Sequence, residues 1–216
     1  MSPKENGILF DLDGLLVDTE RPFIICFKRV CERRGFDIPE ELLLQMIGLG
    51  AREEDALFKE RYGKNFPYME IREETYTESI SYHESEGMRI MKGAPALIEH
   101  LKTKGYPIAL ATGTMYERTL WKLKVSGLDG KFDAISTGSD VEHGKPAPDI
   151  FLVAAKRLGL PPQNCIGFED SDVGLQALHA AGMRSIFVKD MIEPAPQTLA
   201  AVLKRLKSLD EAIALF

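Results

Sequence analysis

From Gly93 onward, short apolar runs alternate with segments in which apolar residues recur at helical spacing. That alternation predicts a doubly wound parallel sheet, because parallel strands are joined by crossover helices and are buried on both faces. Strands are expected at residues 7–10, 107–111, 133–136, 165–168 and 185–188, each followed by a polar cluster.

About 95 residues separate the first expected strand from the second, far more than a single crossover helix needs. The intervening stretch, 20–86, is rich in Glu, Arg, Leu and Met and has no strand-like run. It breaks at Gly35, at Pro39, at Gly48-Leu49-Gly50 and between Gly63 and Pro67, which predicts about four helices of ordinary length. The chain thus reads as a core of residues 1–16 plus 93–216, with a helical insertion at 17–92 hinged near 16–19 and 87–93. Within the insertion, Arg52-Glu53-Glu54-Asp55 and Arg72-Glu73-Glu74 are expected to form solvated helix faces, since unpaired charge stays in water.

Composition narrows the functional classes. With 216 residues, 44% hydrophobic and 28% charged, the chain has the make-up of an ordinary globular protein with material for a sizeable core. The formal net charge of −6 offers no basic field to gather a polyanion, so nucleic acid is not expected as a partner. No run approaches about 18 consecutive apolar residues, and the start of the chain has no apolar signal region, so neither a membrane span nor secretion is expected. Cys26, Cys31 and Cys165 are odd in number, widely spaced and set among apolar residues, which suits buried reduced thiols in the cytoplasm.

The candidate chemistry lies in the polar clusters. In Ile8-Leu9-Phe10-Asp11-Leu12-Asp13-Gly14, an apolar strand delivers two carboxylates one residue apart. Removing an ionised carboxylate from water is costly without a cation or donors to compensate, so the pair marks a strand end opening onto a functional crevice. The plain alternative is an Asp-Gly turn. After the second strand comes Thr112-Gly113-Thr114, and after the fourth comes Glu169-Asp170-Ser171-Asp172. Between the third and fourth comes Gly144-Lys145-Pro146-Ala147-Pro148, whose prolines fix the backbone and could aim Lys145. Ligands of open α/β sheets bind outside the carboxyl ends of the strands, so the four clusters belong to one rim.

Together, Asp11-x-Asp13-Gly14, Thr112, Lys145 in Gly-Lys-Pro-x-Pro and Glu169-Asp170-Ser171 resemble the four motifs of the haloacid dehalogenase-like phosphohydrolases. The insertion after the first motif is similar to the type-one helical cap of the β-phosphoglucomutase-like subfamily. The resemblance implies a Rossmann-like core, an inserted four-helix cap and chemistry on phosphate esters.

Such chemistry needs a nucleophile, charge screening on the phosphoryl oxygens and a proton for the leaving oxygen. Asp11 is the expected nucleophile, ionised at an ordinary carboxylate pKa of about 3.9, and gives an aspartyl-phosphate. Asp13 is the expected general acid and then base, since two close carboxylates resist ionising together. Oxygen-only ligands point to Mg2+. By resemblance its ligands are Asp11, the main-chain carbonyl of Asp13 and Asp170, with Glu169 assisting directly or through water. The alternative for Glu169-Asp170 is a capping pair at the following helix. Thr112 and the Gly113 amide would donate to phosphoryl oxygens, unless they form only a strand-to-helix turn. Lys145 would screen the phosphate and hold Asp11 and Glu169, unless it is a solvated loop lysine. The family often has serine or alanine where Gly113 stands, which leaves side-chain contacts there open.

The cap is expected to select the substrate. Arg52, beyond the Gly48-Leu49-Gly50 loop, could meet a phosphate or hydroxyl, or could remain in solvent. Glu20 could contact substrate hydroxyls, or share helix capping with Thr19. The expected activity is a monomeric, magnesium-dependent phosphatase acting on a sugar or nucleoside monophosphate. The alternative is a β-phosphoglucomutase-like phosphosugar mutase, and Phe23 stands where related mutases place histidine.

Overall fold

The computed structural model describes residues 3–47 and 49–216, so Gly48 of the expected substrate loop lies outside the described residues. The chain divides into two compact units, one formed by the chain up to Val17 together with Arg89–Phe216, the other by Asp18–Met88.

The larger unit is built on a six-stranded sheet of β1 (Gly7–Phe10), β2 (Ile108–Ala111), β3 (Ala134–Ser136), β4 (Cys165–Glu169), β5 (Arg184–Val188) and β6 (Lys204–Leu206). All neighbours pair in parallel, in the order β3-β2-β1-β4-β5-β6, as expected of a doubly wound α/β fold. β1 is central, with Leu9 opposite Ala109 on one side and Gly167 on the other. Ile8, Leu9 and Phe10 are wholly buried, the mark of a strand covered on both faces, and the Phe10 and Phe168 rings stack at 5.0 Å.

The smaller unit holds α1 (Glu20–Arg33), α2 (Glu40–Gln45), α3 (Ala51–Tyr62) and α4 (Tyr68–Glu86). Phe27, Phe58, Phe66 and Tyr68 form an aromatic core of its own, with Phe58 stacked on Phe66 at 5.3 Å and on Tyr68 at 5.2 Å. Each such ring buried contributes about 1.5–3 kcal/mol. Arg33 and Arg34 at the end of α1 pair with Glu70, Glu74 and Glu78 of α4. The larger unit's helices are α5 (Ala94–Lys104), α6 (Tyr116–Ser126), α7 (Asp149–Leu158), α8 (Asp172–Ala180) and α9 (Pro196–Ala200).

Four expectations need correction. The boundary 17–92 is too wide, because Val17 bridges Ile90 and the Met91 N–H bonds the Leu16 carbonyl at 2.9 Å, which ties residues 89–92 to the larger unit. β6 was not expected, because its exposed Lys204 and Arg205 lack an apolar signal; charged residues are common on edge strands. Asp133 lies before β3 rather than in it, its carboxylate accepting from the Ile108 N–H at 2.8 Å. Glu54 is not on a solvated face. It is buried, accepts from the Tyr68 hydroxyl and from Arg72 Nε at 3.1 Å, and burial pushes its carboxyl above the usual range despite those donors.

Candidate active site

The site begins where β1 ends. The Asp11 N–H still bonds the Phe168 carbonyl of β4 at 3.2 Å, and the chain then closes a tight loop in which the Gly14 N–H reaches the Val17 carbonyl at 2.9 Å. Gly14 has a φ of +79°, a conformation open to glycine, and a Cβ there would run into the Asp170 carboxylate.

Asp11 is buried, with its Oδ1 at 2.6 Å from Lys145 Nζ. The same ammonium pairs with Glu169, whose side chain is wholly buried. Burial pushes the Asp11 carboxyl up to about 7, Lys145 pulling it down while Glu169 and Asp13 add to the rise. Desolvation by burial thus departs from the expectation of an ordinary carboxylate, even with Lys145 alongside. For Lys145, burial alone would depress the ammonium pKa, but Asp11 and Glu169 outweigh it and hold it above the usual lysine range. Lys145 is thus a buried ion-pair partner, its Nζ 5.0 Å from the Phe151 ring centroid, and its peptide bond to Pro146 is cis.

At the end of β4, Glu169 Oε2 accepts from the Asp170 N–H at 3.0 Å, the Ser171 N–H at 3.1 Å and the Ser171 hydroxyl at 2.9 Å. Glu169 is seated so closely that a Cβ on Gly174 would overlap its carboxylate. The helix cap belongs to Ser171, which accepts from the Gly174 N–H at 3.1 Å. Carboxylate oxygens of Asp11, Glu169 and Asp170 lie within 4.8 Å of one another, an all-oxygen set suited to a hard divalent cation.

On the other side of β1, Thr112 at the end of β2 is buried, its hydroxyl accepting from the Thr114 N–H at 3.1 Å and standing 3.5 Å from Asp13 Oδ2. The Thr114 hydroxyl donates to Asp13 Oδ2 at 2.6 Å. The Gly113 amide needs no glycine for space, since a Cβ there meets nothing within 4 Å. Lys122 of α6, absent from the expected set, reaches Asp13 Oδ1 at 2.5 Å. The available signal was its place on the inward stripe Thr119-Lys122-Ser126, a spacing of three and four residues.

The structure thus brings Asp11, Lys145, Glu169 and Asp170 into one cluster and joins Asp13 to Thr112 and Thr114. Glu20 and Arg52 belong to the smaller unit. Glu20 opens α1, where Thr19 is the N-cap residue but makes no side-chain capping bond, and Arg52 is exposed in the first turn of α3. Asp18 pairs with Arg21 at 3.1 Å.

The sequence profile of the haloacid dehalogenase-like hydrolases matches residues 8–188. A hexitol phosphatase A of Escherichia coli is 35% identical over 182 residues, covering 84% of this chain and 82% of the relative. A fructose-1-phosphate phosphatase of the same organism is 30% identical over 187 residues, covering 85% and 96%. The crystal structure of a β-phosphoglucomutase from Clostridium difficile superposes with a TM-score of 0.78 at 26% identity, covering 95% of this chain and 92% of that one. With the strand-end carboxylates, the lysine between them and a profile match across most of its length, the chain belongs to the haloacid dehalogenase-like hydrolases, in their β-phosphoglucomutase-like branch.

Proposed function

We propose that the protein is a magnesium-dependent phosphatase that hydrolyses a small phosphorylated metabolite, a sugar or nucleoside monophosphate, through an aspartyl-phosphate on Asp11. The observation that carries this reading is the separation of tasks at the end of β1. Asp11 is buried and oriented by Lys145 at 2.6 Å, while Asp13 is held apart from it by the Thr114 hydroxyl at 2.6 Å.

In the first step an Asp11 oxygen attacks phosphorus, the bond from phosphorus to the ester oxygen breaks, and Asp13 gives its proton to the departing alkoxide. In the second, Asp13 takes a proton from water as the water oxygen attacks phosphorus. The bond to Asp11 then breaks, releasing phosphate and restoring the carboxylate. Lys145 keeps Asp11 aimed, and the Thr112 hydroxyl and Gly113 amide donate to phosphoryl oxygens.

The donor set fits magnesium, because Asp170 and Asp11 offer carboxylate oxygens within one cluster while Glu169 Oε2 is taken up by three donors. Asp11, Asp170 and the Asp13 carbonyl would hold the ion, with Glu169 acting through water. Magnesium there supplies positive charge against the phosphoryl oxygens.

The sugar-phosphate side of this reading is supported by relatives named hexitol phosphatase and fructose-1-phosphate phosphatase. Glu20 and Arg52 are assigned to its recognition. A second reading, phosphosugar mutase, is favoured by the likeness to β-phosphoglucomutase. Against it stands Phe23, which packs on Tyr76 with ring centroids 5.2 Å apart where related mutases carry a histidine.

A panel of phosphorylated metabolites scored for phosphate release, with magnesium and with chelator, tests the proposal. Release from a sugar or nucleoside monophosphate that chelator abolishes is expected; release from none of them would overturn it. β-Glucose 1-phosphate with the bisphosphate activator tests the mutase, which would yield glucose 6-phosphate instead of free phosphate.

A further inference from the structure

Lys122 is a lysine turned inward. Its side chain is 10% exposed, it shares the buried stripe of α6 with Thr119 and Ser126, and its Nζ meets Asp13 Oδ1 at 2.5 Å and Thr114 Oγ1 at 3.2 Å. Taking an ammonium out of water is unfavourable unless a well-placed anion and further hydrogen bonds compensate. Both are supplied here by the proposed acid and its neighbour. Thr114 in turn donates to Asp13 Oδ2, so the two oxygens of one carboxylate are engaged by a helix and by the turn that leads into it.

The first cation of the site, Lys145, serves Asp11 and Glu169. Two carboxylates one residue apart are therefore held by two lysines from different elements, one in the loop before α7 and one on α6. With a single lysine, Asp11 and Asp13 would compete for one counter-charge.

We propose that Lys122 is a positioning residue for Asp13, its ion pair and the Thr114 bond aiming the ionised carboxylate before it takes up, and after it gives up, the proton passed to the leaving oxygen. The proposal rests on the acid–base assignment of Asp13 made above. Asp13 keeps 19% of its side chain exposed on a loop, and a group so placed needs a tether, since displacement by about 1 Å can cost about a hundredfold in rate. A helix-borne lysine supplies that tether.

The test compares Lys122→Met, Asp13→Asn and the double variant on two substrates. One is the primary-alcohol sugar phosphate turned over fastest by the wild type. The other is p-nitrophenyl phosphate, whose leaving group departs without a proton. Expected is a fall in kcat/KM of about 10- to 100-fold on the sugar phosphate for Lys122→Met, and a fall at least about tenfold smaller on the aryl ester. In the Asp13→Asn background, Lys122→Met should add no further loss, and inhibition by inorganic phosphate should stay within about twofold of wild type in Lys122→Met. Lys122→Gln, which keeps a donor but no charge, should fall between Met and wild type; it carries the same comparison if the Met variant does not fold.

Equal losses on both substrates, additive losses in the double variant, or weakened phosphate inhibition would overturn the proposal, the last two pointing to direct contact with the phosphoryl group. If Asp13→Asn itself loses equally on both substrates, the acid–base assignment fails, and the proposal with it. If Asp13→Asn discriminates and Lys122→Met does not, the positioning role alone fails.

Discussion

The Asp170 carboxylate fills the space where a Cβ of Gly14 would stand, so the first and last motifs of the site meet through a missing side chain. Gly14 also holds a φ of +79°. Gly14→Ala should therefore displace Asp170 as well as strain the loop, at a stability cost above about 1 kcal/mol. We expect magnesium affinity to fall at least about tenfold in this variant, read by calorimetric titration of the purified protein. Unchanged affinity would separate Asp170 from the cation.

Asp11→Asn should lower turnover by more than about 10³-fold, because an amide is a poor nucleophile and cannot form the covalent intermediate. The fold should persist, since an amide matches the carboxylate in shape and Glu169 still faces Lys145. Circular dichroism checks the fold, and full magnesium-dependent activity in the variant would remove Asp11 from its role.

Burial raises the Asp11 carboxyl to about 7. Below that pH the group carries a proton that an incoming cation must displace; above it, the site is already ionised. Magnesium affinity should thus weaken by about tenfold per pH unit below pH 7 and level off above it, with proton release on binding that grows toward pH 6. Titrations at pH 6, 7 and 8 in buffers of different ionisation enthalpy measure both. Affinity independent of pH across that range would count against a raised Asp11.

Asp140 behaves in the opposite sense. Hydrogen bonds from Arg157, at 2.6 and 3.0 Å, with others from Thr137, outweigh its partial burial and hold its carboxyl down to about 2. A depressed carboxylate stabilises the fold fully above its unfolded value of about 3.9 and loses that contribution as pH falls toward 2. Asp140→Asn should lower Tm by about 2–4 °C at neutral pH, a modest shift because both side chains remain partly in water, and the difference should shrink below pH 4. Melting curves at pH 7, 5 and 3 would show it.

What could be read from the chain depended on whether a residue's reason lay nearby in sequence. β1, β2 and β4 are legible because strands covered on both faces must be apolar throughout, and Asp11, Thr112 and Glu169 are legible because they end such strands. Lys204 and Arg205 carry no such mark, since an edge strand is specified by its neighbour β5 and not by its own side chains. Glu54 looked like surface because its partners, Tyr68 and Arg72, come from the following helix. Lys122 was hidden for the same reason on a larger scale, its partner Asp13 lying 109 residues upstream. The Thr114 hydroxyl bond likewise spans the gap between two clusters that the sequence displays separately.

The central place of β1 has a consequence for how the chain comes to be folded. Ile8 pairs with Ile108 on one side and Ile166 on the other, so this central strand is made before either of its neighbours. At about 5–20 residues per second, roughly 5–20 s of synthesis pass before β2 exists, and longer before β4. During that interval the whole smaller unit, a continuous segment with its own aromatic core, is synthesised. The nascent chain is therefore an apolar strand awaiting partners ahead of a helical unit that can already collapse, and its vulnerability to mispairing is greatest in those seconds.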